Sequence, residues 1–258
     1  MYEKITYRVE SHAAIIGFHI PEDGNRIGLA AMTEIMDAIH EADKDGHVSC
    51  IILTGEGEWF CLGGRIDGFP TGYSIDQKKY SDAMVGMLKC IQNADKPVIA
   101  AVNGPAYAGG FMVVESCDLA IASSKASFGL TELVNTGNYP VIALAVNGRS
   151  VPKKRLFEMI LTGNPVTAET ACSWNLINEV TEPGNELNRA LEYAELISKR
   201  SGIAMAFGRQ TFYEMAELSP RQAMEYAIPA LMSFLTYEDV KEGALAAKEN
   251  REPNYTGR

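Results

Sequence analysis

The stretch Lys96-Pro-Val-Ile-Ala-Ala-Val-Asn-Gly-Pro-Ala-Tyr-Ala-Gly-Gly-Phe-Met112 constrains this chain more than any other. Its apolar run, Pro97 to Val102, reads as a buried strand that breaks at Asn103-Gly104. Gly109-Gly110 then opens a second apolar segment of helical character. A strand that feeds a glycine turn into a helix start leaves backbone N–H groups without intrahelical acceptors, at the positive end of the helix dipole. Such a turn suits a developing negative charge, on phosphate or on an enolate oxygen. No Gly-Lys-Ser/Thr follows, so it is not a P-loop, and its glycines are not spaced as a dinucleotide fingerprint.

A second turn of the same kind precedes it. Trp59-Phe-Cys-Leu-Gly-Gly-Arg65 follows the apolar strand Cys50–Leu53 and the closing residues Thr54-Gly55-Glu56-Gly57. Two such turns, each after a strand of one sheet, can aim two N–H donors at one oxygen, which is what an oxyanion hole requires. Strand signals at 13–20, 50–53, 98–102, 119–122 and 176–180 alternate with helical stripes. The stripes are Leu29, Met32, Ile35, Met36 and Ile39, and then Met84, Met87, Leu88 and Ile91. This rhythm predicts an α/β architecture with parallel pairing over residues 1–184. From 185 to 258 only helical stripes occur, at 187–197, 205–218, 223–235 and 240–247, with Thr236 placed to cap the last. Such a tail is expected to pack on its own core or on a neighbouring subunit.

Composition narrows the function. The chain has 258 residues, 47% of them hydrophobic, enough for a substantial core. Its 33 acidic and 23 basic residues give a formal net charge of −10, which argues against a general nucleic-acid or anionic-membrane binder. The five cysteines include no Cys-x-x-Cys pair and read as free thiols in a reducing, cytoplasmic setting. No apolar run reaches membrane-spanning length. His12, His19, His40 and His47 lack metal-ligand spacing, so no metal is expected, and they read as surface or satisfied histidines. Cys61 has no neighbouring histidine to activate it and reads as packing. Tyr73, Tyr80 and Tyr107 are candidate hydrogen-bond donors to a pocket.

The chain resembles the enoyl-CoA hydratase/isomerase (crotonase) superfamily. The resemblance rests on Ile51-Ile-Leu-Thr-Gly-Glu-Gly-Glu-Trp-Phe-Cys-Leu-Gly-Gly64, Lys96 to Gly110, Cys117 to Ala122, and Ala126-Ser-Phe-Gly-Leu-Thr-Glu132. Leu161-Thr-Gly163, Ala168 to Val180 and Glu249 to Tyr255 extend it over almost the whole chain. It implies a spiral of ββα units with a helical C-terminal region, assembled as trimers or dimers of trimers. It also implies a substrate carbonyl that becomes an enolate held by two peptide N–H groups, here those of Leu62 and Gly109. Glu132 is the implied acid/base, with Arg65, Gly63, Gly64, Gly110, Met112, Tyr139 and Pro140 as substrate contacts. No cofactor is implied beyond coenzyme A as part of the substrate.

The chain departs from that pattern in four places. Met112 stands where hydratases carry a second glutamate, and a thioether can neither polarise water nor exchange a proton. Arg65 replaces a common aspartate, and reads either as a grip on a substrate carboxylate or phosphate or as an ion pair with Asp67 or another acid. Glu22-Asp23 replaces a basic residue that helps hold coenzyme A, and Asn138-Tyr139-Pro140 replaces a glycine-rich segment. Three readings follow. The first is an enoyl-thioester isomerase or hydratase-like enzyme with a single glutamate, double-bond isomerisation being favoured. The second is a carbon–carbon bond hydrolase or decarboxylase acting on a β-keto or carboxylated substrate, with or without a link to coenzyme A, and the third a non-catalytic binding protein.

Overall fold

The computed structural model describes residues 2–65 and 74–257. The chain opens with strands β1 (Ile5–Glu10) and β2 (Ala13–Phe18), helix α1 (Leu29–Lys44), β3 (Cys50–Gly55), α2 (Ser74–Asn93) and β4 (Val98–Val102). Next come β5 (Ala106–Tyr107), α3 (Gly109–Ser116), β6 (Leu119–Ser123), β7 (Ser127–Gly129), α4 (Glu132–Thr136), α5 (Val141–Ser150) and α6 (Lys153–Thr162). The chain continues through β8 (Val166–Thr167), α7 (Ala168–Ser173) and β9 (Glu179–Thr181). It ends in α8 (Glu186–Ser198), α9 (Gly202–Ala216), α10 (Pro220–Phe234) and α11 (Glu238–Glu249).

The strands form one sheet in the order β1-β2-β3-β4-β6-β9 and a small one, β5-β7-β8. β1 pairs antiparallel to β2, and the rest of the large sheet is parallel. Parallel strands need helical crossovers and so are covered on both faces. Alternation along each strand splits the core accordingly. Ala14, Ile16, Ile51, Leu53, Ala100 and Val102 face α1 and its Met32, Ile35 and Ile39. Ala13, Ile15, Cys50, Ile52, Ile99 and Ala101 face the small side chains Ala190 and Ala194 of α8. The mixed α/β architecture expected from the sequence is present, and the helical tail therefore begins on its own sheet.

Two local expectations shift. The last strand lies at Glu179–Thr181, because Leu176 and Ile177 turn into the main core after α7. Thr236 does not cap α11. Tyr237 takes that place without a side-chain bond, and the Thr236 hydroxyl instead donates to the Ser233 carbonyl at 2.7 Å, which also accepts the Thr236 N–H at 3.1 Å. β1, the short second sheet and helices α4 to α6 are additions that the strand and stripe signals left unassigned.

Helix α9 is bolted to the core by one side chain. Arg209 Nε donates to Asp118 Oδ2 at 2.8 Å, its Nη2 to the Ile91 carbonyl at 3.2 Å, and its Nη1 to the Ala94 carbonyl. Asp118 also accepts the Val98 N–H at 2.7 Å. Asp118 keeps contact with solvent, so truncating Arg209 loses its charge-assisted hydrogen bonds rather than burying a lone charge, at a cost of about 2 kcal/mol. Arg209→Met is expected to lower the unfolding free energy by that amount in denaturant titration.

Candidate functional site

The site is assembled where the first turn docks between residues 24–27 and the second turn. Buried Asn25 and half-buried Asn103 brace it. The Asn25 amide donates to the Glu56 and Trp59 carbonyls at 2.9 and 2.7 Å, and Asn103 donates to the Gly57 carbonyl at 3.0 Å. Beyond them the chain runs as an extended strip. Cys61 pairs with the second turn, its N–H donating to the Pro105 carbonyl (3.2 Å) and its carbonyl accepting from Tyr107 (2.9 Å). Leu62 N–H turns to the other side and donates to the Gly24 carbonyl at 2.9 Å.

Gly63, at φ 102°, then changes the alternation. Its carbonyl accepts from Ile27 (2.9 Å), and Arg65 N–H donates back to the Ile27 carbonyl (3.1 Å). In such a parallel bridge the residue between the two bonds points its own N–H away from the partner strand. That residue is Gly64, and its nitrogen lies 3.5 Å from where a Cβ would stand on Gly109. Gly109 begins α3, whose first intrahelical bond runs from Met112 N–H to the Ala108 carbonyl at 3.1 Å. Among the described residues no backbone acceptor takes the N–H of Gly64 or of Gly109. The expectation for Leu62 is thus corrected: its N–H is consumed by Gly24, and the free donor of the first turn is Gly64. The Gly63-Gly64 pair was the available signal, because one glycine at positive φ re-aims the N–H of the next.

The remaining expected residues fall around this pair. β5 pairs with β7, and Ala108 N–H donates to the Gly129 carbonyl at 2.8 Å, so the chain leaves β7 beside the start of α3. Three residues on, Glu132 is the first residue of α4. Its Oε2 is buried without a hydrogen-bond partner, and burial raises the carboxyl above the ordinary carboxylate value, opposed by its own backbone N–H. Met112 is buried on the first turn of α3. Gly110 is a packing residue, with the carbonyl of Cys61 where a Cβ would be. Pro140 is buried at the start of α5 and Tyr139 half-buried against the main core.

Arg65 Nε stands 3.4 Å from Asp23 Oδ2, and Arg26 is 3.6 Å from the same carboxylate's Oδ1. Two departures read independently from the sequence, Arg65 and Asp23, are therefore partners. Asp67 and Tyr73 lie outside the described residues. Tyr80 donates to the Ile27 carbonyl at 3.0 Å and, with Arg65, Leu29 and Ile20, lines a cavity of about 410 Å³ behind the first turn. The Tyr107 hydroxyl meets Ser127 Oγ at 2.8 Å. Cys61 is buried, its thiol pushed up to about 12 by desolvation, and His19 is paired with Glu56. Among the described residues no cluster of His, Cys, Asp and Glu has metal-binding form, and no helix is long and apolar enough to cross a membrane.

One acid went unread. Glu115 lies three residues after Met112 on α3 and ends an apolar run, Phe111 to Val114. It accepts from the Ser150 hydroxyl, its Oε1 is buried without a partner, and burial pushes its carboxyl up to about 7. A folded value above the unfolded one gives stability that is present below about 4.5 and lost as pH rises through about 7. Glu115→Gln should match the wild type near pH 4.5 and exceed it by about 3 kcal/mol above pH 7 in pH-resolved denaturation.

Two neighbouring, unclaimed N–H groups and a desolvated carboxyl on a parallel-sheet scaffold have the chemistry to stabilise an oxyanion. The sequence profile of the enoyl-CoA hydratase/isomerase family matches residues 8–258, and the chain belongs to that family. It is 30% identical to enoyl-CoA hydratase EchA19 of Mycobacterium tuberculosis over 251 residues, covering 96% of this chain and 94% of that protein. It is 31% identical to (E)-benzylidenesuccinyl-CoA hydratase of Thauera aromatica over 266 residues, covering 98% and 99%. The crystal structure of human enoyl-CoA hydratase domain-containing protein 3 superposes with a TM-score of 0.93 at 27% identity, covering 98% of this chain and 100% of that one. Enoyl-CoA hydratase from Bacillus anthracis gives 0.92 at 25% identity, covering 99% and 100%.

Proposed function

We propose that this enzyme shifts a double bond in an enoyl-CoA thioester. One observation carries the reading: Glu132, three residues past the β7 end that pairs beside the start of α3, has a desolvated carboxyl with an unpartnered oxygen, and the first turn of α3 offers Met112 in place of a second acid. The ionised Glu132 takes a proton from the carbon next to the thioester carbonyl of a 3-enoyl substrate. The electron pair moves onto the carbonyl oxygen, where the N–H groups of Gly64 and Gly109 receive the charge. The same carboxyl returns the proton to the far end of the allylic system, giving the conjugated 2-enoyl thioester. Removal and return by one group balance the reaction without a second acid.

Coenzyme A as the carrier is supported by the relatives, whose names include hydratases of enoyl-CoA thioesters. The carbon–carbon hydrolase or decarboxylase reading needs Arg65 for a substrate carboxylate, and the Asp23 ion pair tells against it. The test offers 3-enoyl- and 2-enoyl-CoA of equal length, following ultraviolet absorbance and deuterium uptake by NMR. Conversion of the 3-enoyl compound to the conjugated product, with water addition to the 2-enoyl compound at least an order of magnitude slower, is expected. Comparable hydration overturns the assignment.

The same reading includes a homotrimer or dimer of trimers. Phe212 on α9 and Met224, Ile228, Leu231 and Met232 on α10 are 50–74% exposed and form apolar surface that a second copy would cover. Light scattering of the purified protein should give a mass three or six times the chain's, and a monomer would refute it.

A further inference from the structure

Helices α3 and α5 pack together and carry polar groups that the reaction above does not use. On α5, Ala143 and Asn147 are one turn apart and both fully buried, so they form its inward stripe. Asn147 carries a donor and an acceptor, and neither its Nδ2 nor its Oδ1 has a partner. Ser150, one turn further along α5, donates from the rim to Glu115 Oε2, which leaves Oε1 buried and unpartnered. Burying three such atoms between packed helices is costly. Residues that persist at such a cost are candidates for ligand recognition.

Helix geometry sets how far Glu115 lies from the N–H pair. Gly109, Met112 and Glu115 follow one another at three-residue steps on α3. Glu115 therefore lies about 9 Å along the helix axis from the N–H at Gly109, a distance that a short to medium acyl chain spans. The chemistry narrows what arrives there. The Asn147 amide both donates and accepts, and a carboxyl pushed up to about 7 does the same when protonated. An anionic tail would meet the charge of Glu115 whenever it ionises, and a methyl end would leave all three atoms unpaired.

We propose that Asn147 and Glu115, the latter fixed by Ser150, form a specificity-determining subsite for a hydroxyl group on the distal part of the substrate's acyl chain. This rests on the reading of the protein as an acyl-thioester enzyme. The test is calorimetric binding of saturated acyl-CoA pairs, short to medium in chain and matched in length, one ending in methyl and the other in hydroxyl. At the best-fitting length the hydroxyl compound should bind the wild type at least tenfold more tightly, as expected for pairing otherwise unsatisfied buried groups.

Asn147→Leu and Glu115→Leu should each cut that ratio about tenfold, whereas Glu115→Gln, which keeps a donor and an acceptor, should preserve it. Circular dichroism establishes that each variant is folded. An unchanged ratio in the folded leucine variants, or a methyl preference of the wild type at every length, overturns the subsite. Saturated thioesters do not react, so the two proposals fail separately. Hydroxyl preference without conversion of a 3-enoyl thioester defeats only the isomerase assignment, and conversion without preference defeats only the subsite.

Discussion

Glu132→Gln is expected to lower kcat by about 10²–10⁴, the range of a lost general acid/base, while leaving the fold intact or more stable. Burial is what raises the Glu132 carboxyl, so its ionised form is the disfavoured one in the folded protein. Its contribution to stability is present at low pH and fades as pH rises through the raised value, and glutamine removes that burden. Catalysis needs the opposite form, because only the carboxylate can accept the substrate's proton. The rate should thus fall with acid through a midpoint above the ordinary carboxylate value. Steady-state kinetics across pH and denaturation of both proteins test the pair of effects. A variant with wild-type kcat, or one that loses activity only in proportion to folded fraction, removes Glu132 from the chemistry.

Gly110→Ala should be nearly as damaging for a different reason. A Cβ at this position would lie 2.1 Å from the Cys61 carbonyl oxygen and 2.8 Å from the Cys61 Cβ. Backbone cannot swing away as a side-chain tip can, so α3 must move off the first turn. That movement separates Gly109, on α3, from Gly64, on the turn, and weakens the grip on an oxyanion proposed for the two N–H groups. Losing one donor's worth of such stabilisation costs about 10²–10³ in kcat, and the overpacking itself costs about 1–3 kcal/mol. Gly46→Ala is the control, since nothing lies within 4 Å of its added methyl. Kinetics at a temperature where Gly110→Ala is fully folded should retain the kcat loss. A normal kcat there would show that the contact between turns does not set the donor geometry.

Much of this was legible in the chain itself. The apolar runs that became β2, β3 and β4 read as buried strands because parallel strands covered on both faces need little polar alternation. The glycine pairs at 63–64 and 109–110 marked the two places where backbone would approach backbone. Glu132 was legible through its resemblance to a family position, since a lone glutamate carries no signal of its burial. Asn25 and Asn103 carried no such mark, although they brace the first turn, because their partners lie more than thirty residues away.

Periodicity and glycine placement, both local properties, determined the sheet, its helical cover and the two turns. Tertiary structure alone decided which N–H stays free, since Leu62 loses its donor to Gly24 and Gly64 keeps one. It also decided that Arg65 answers Asp23 and that Asn147 and one carboxylate oxygen of Glu115 are buried without a partner. Hydrogen-bond satisfaction, ion pairing and desolvation are set by whatever group the fold brings alongside, and no local stretch of sequence carries that information.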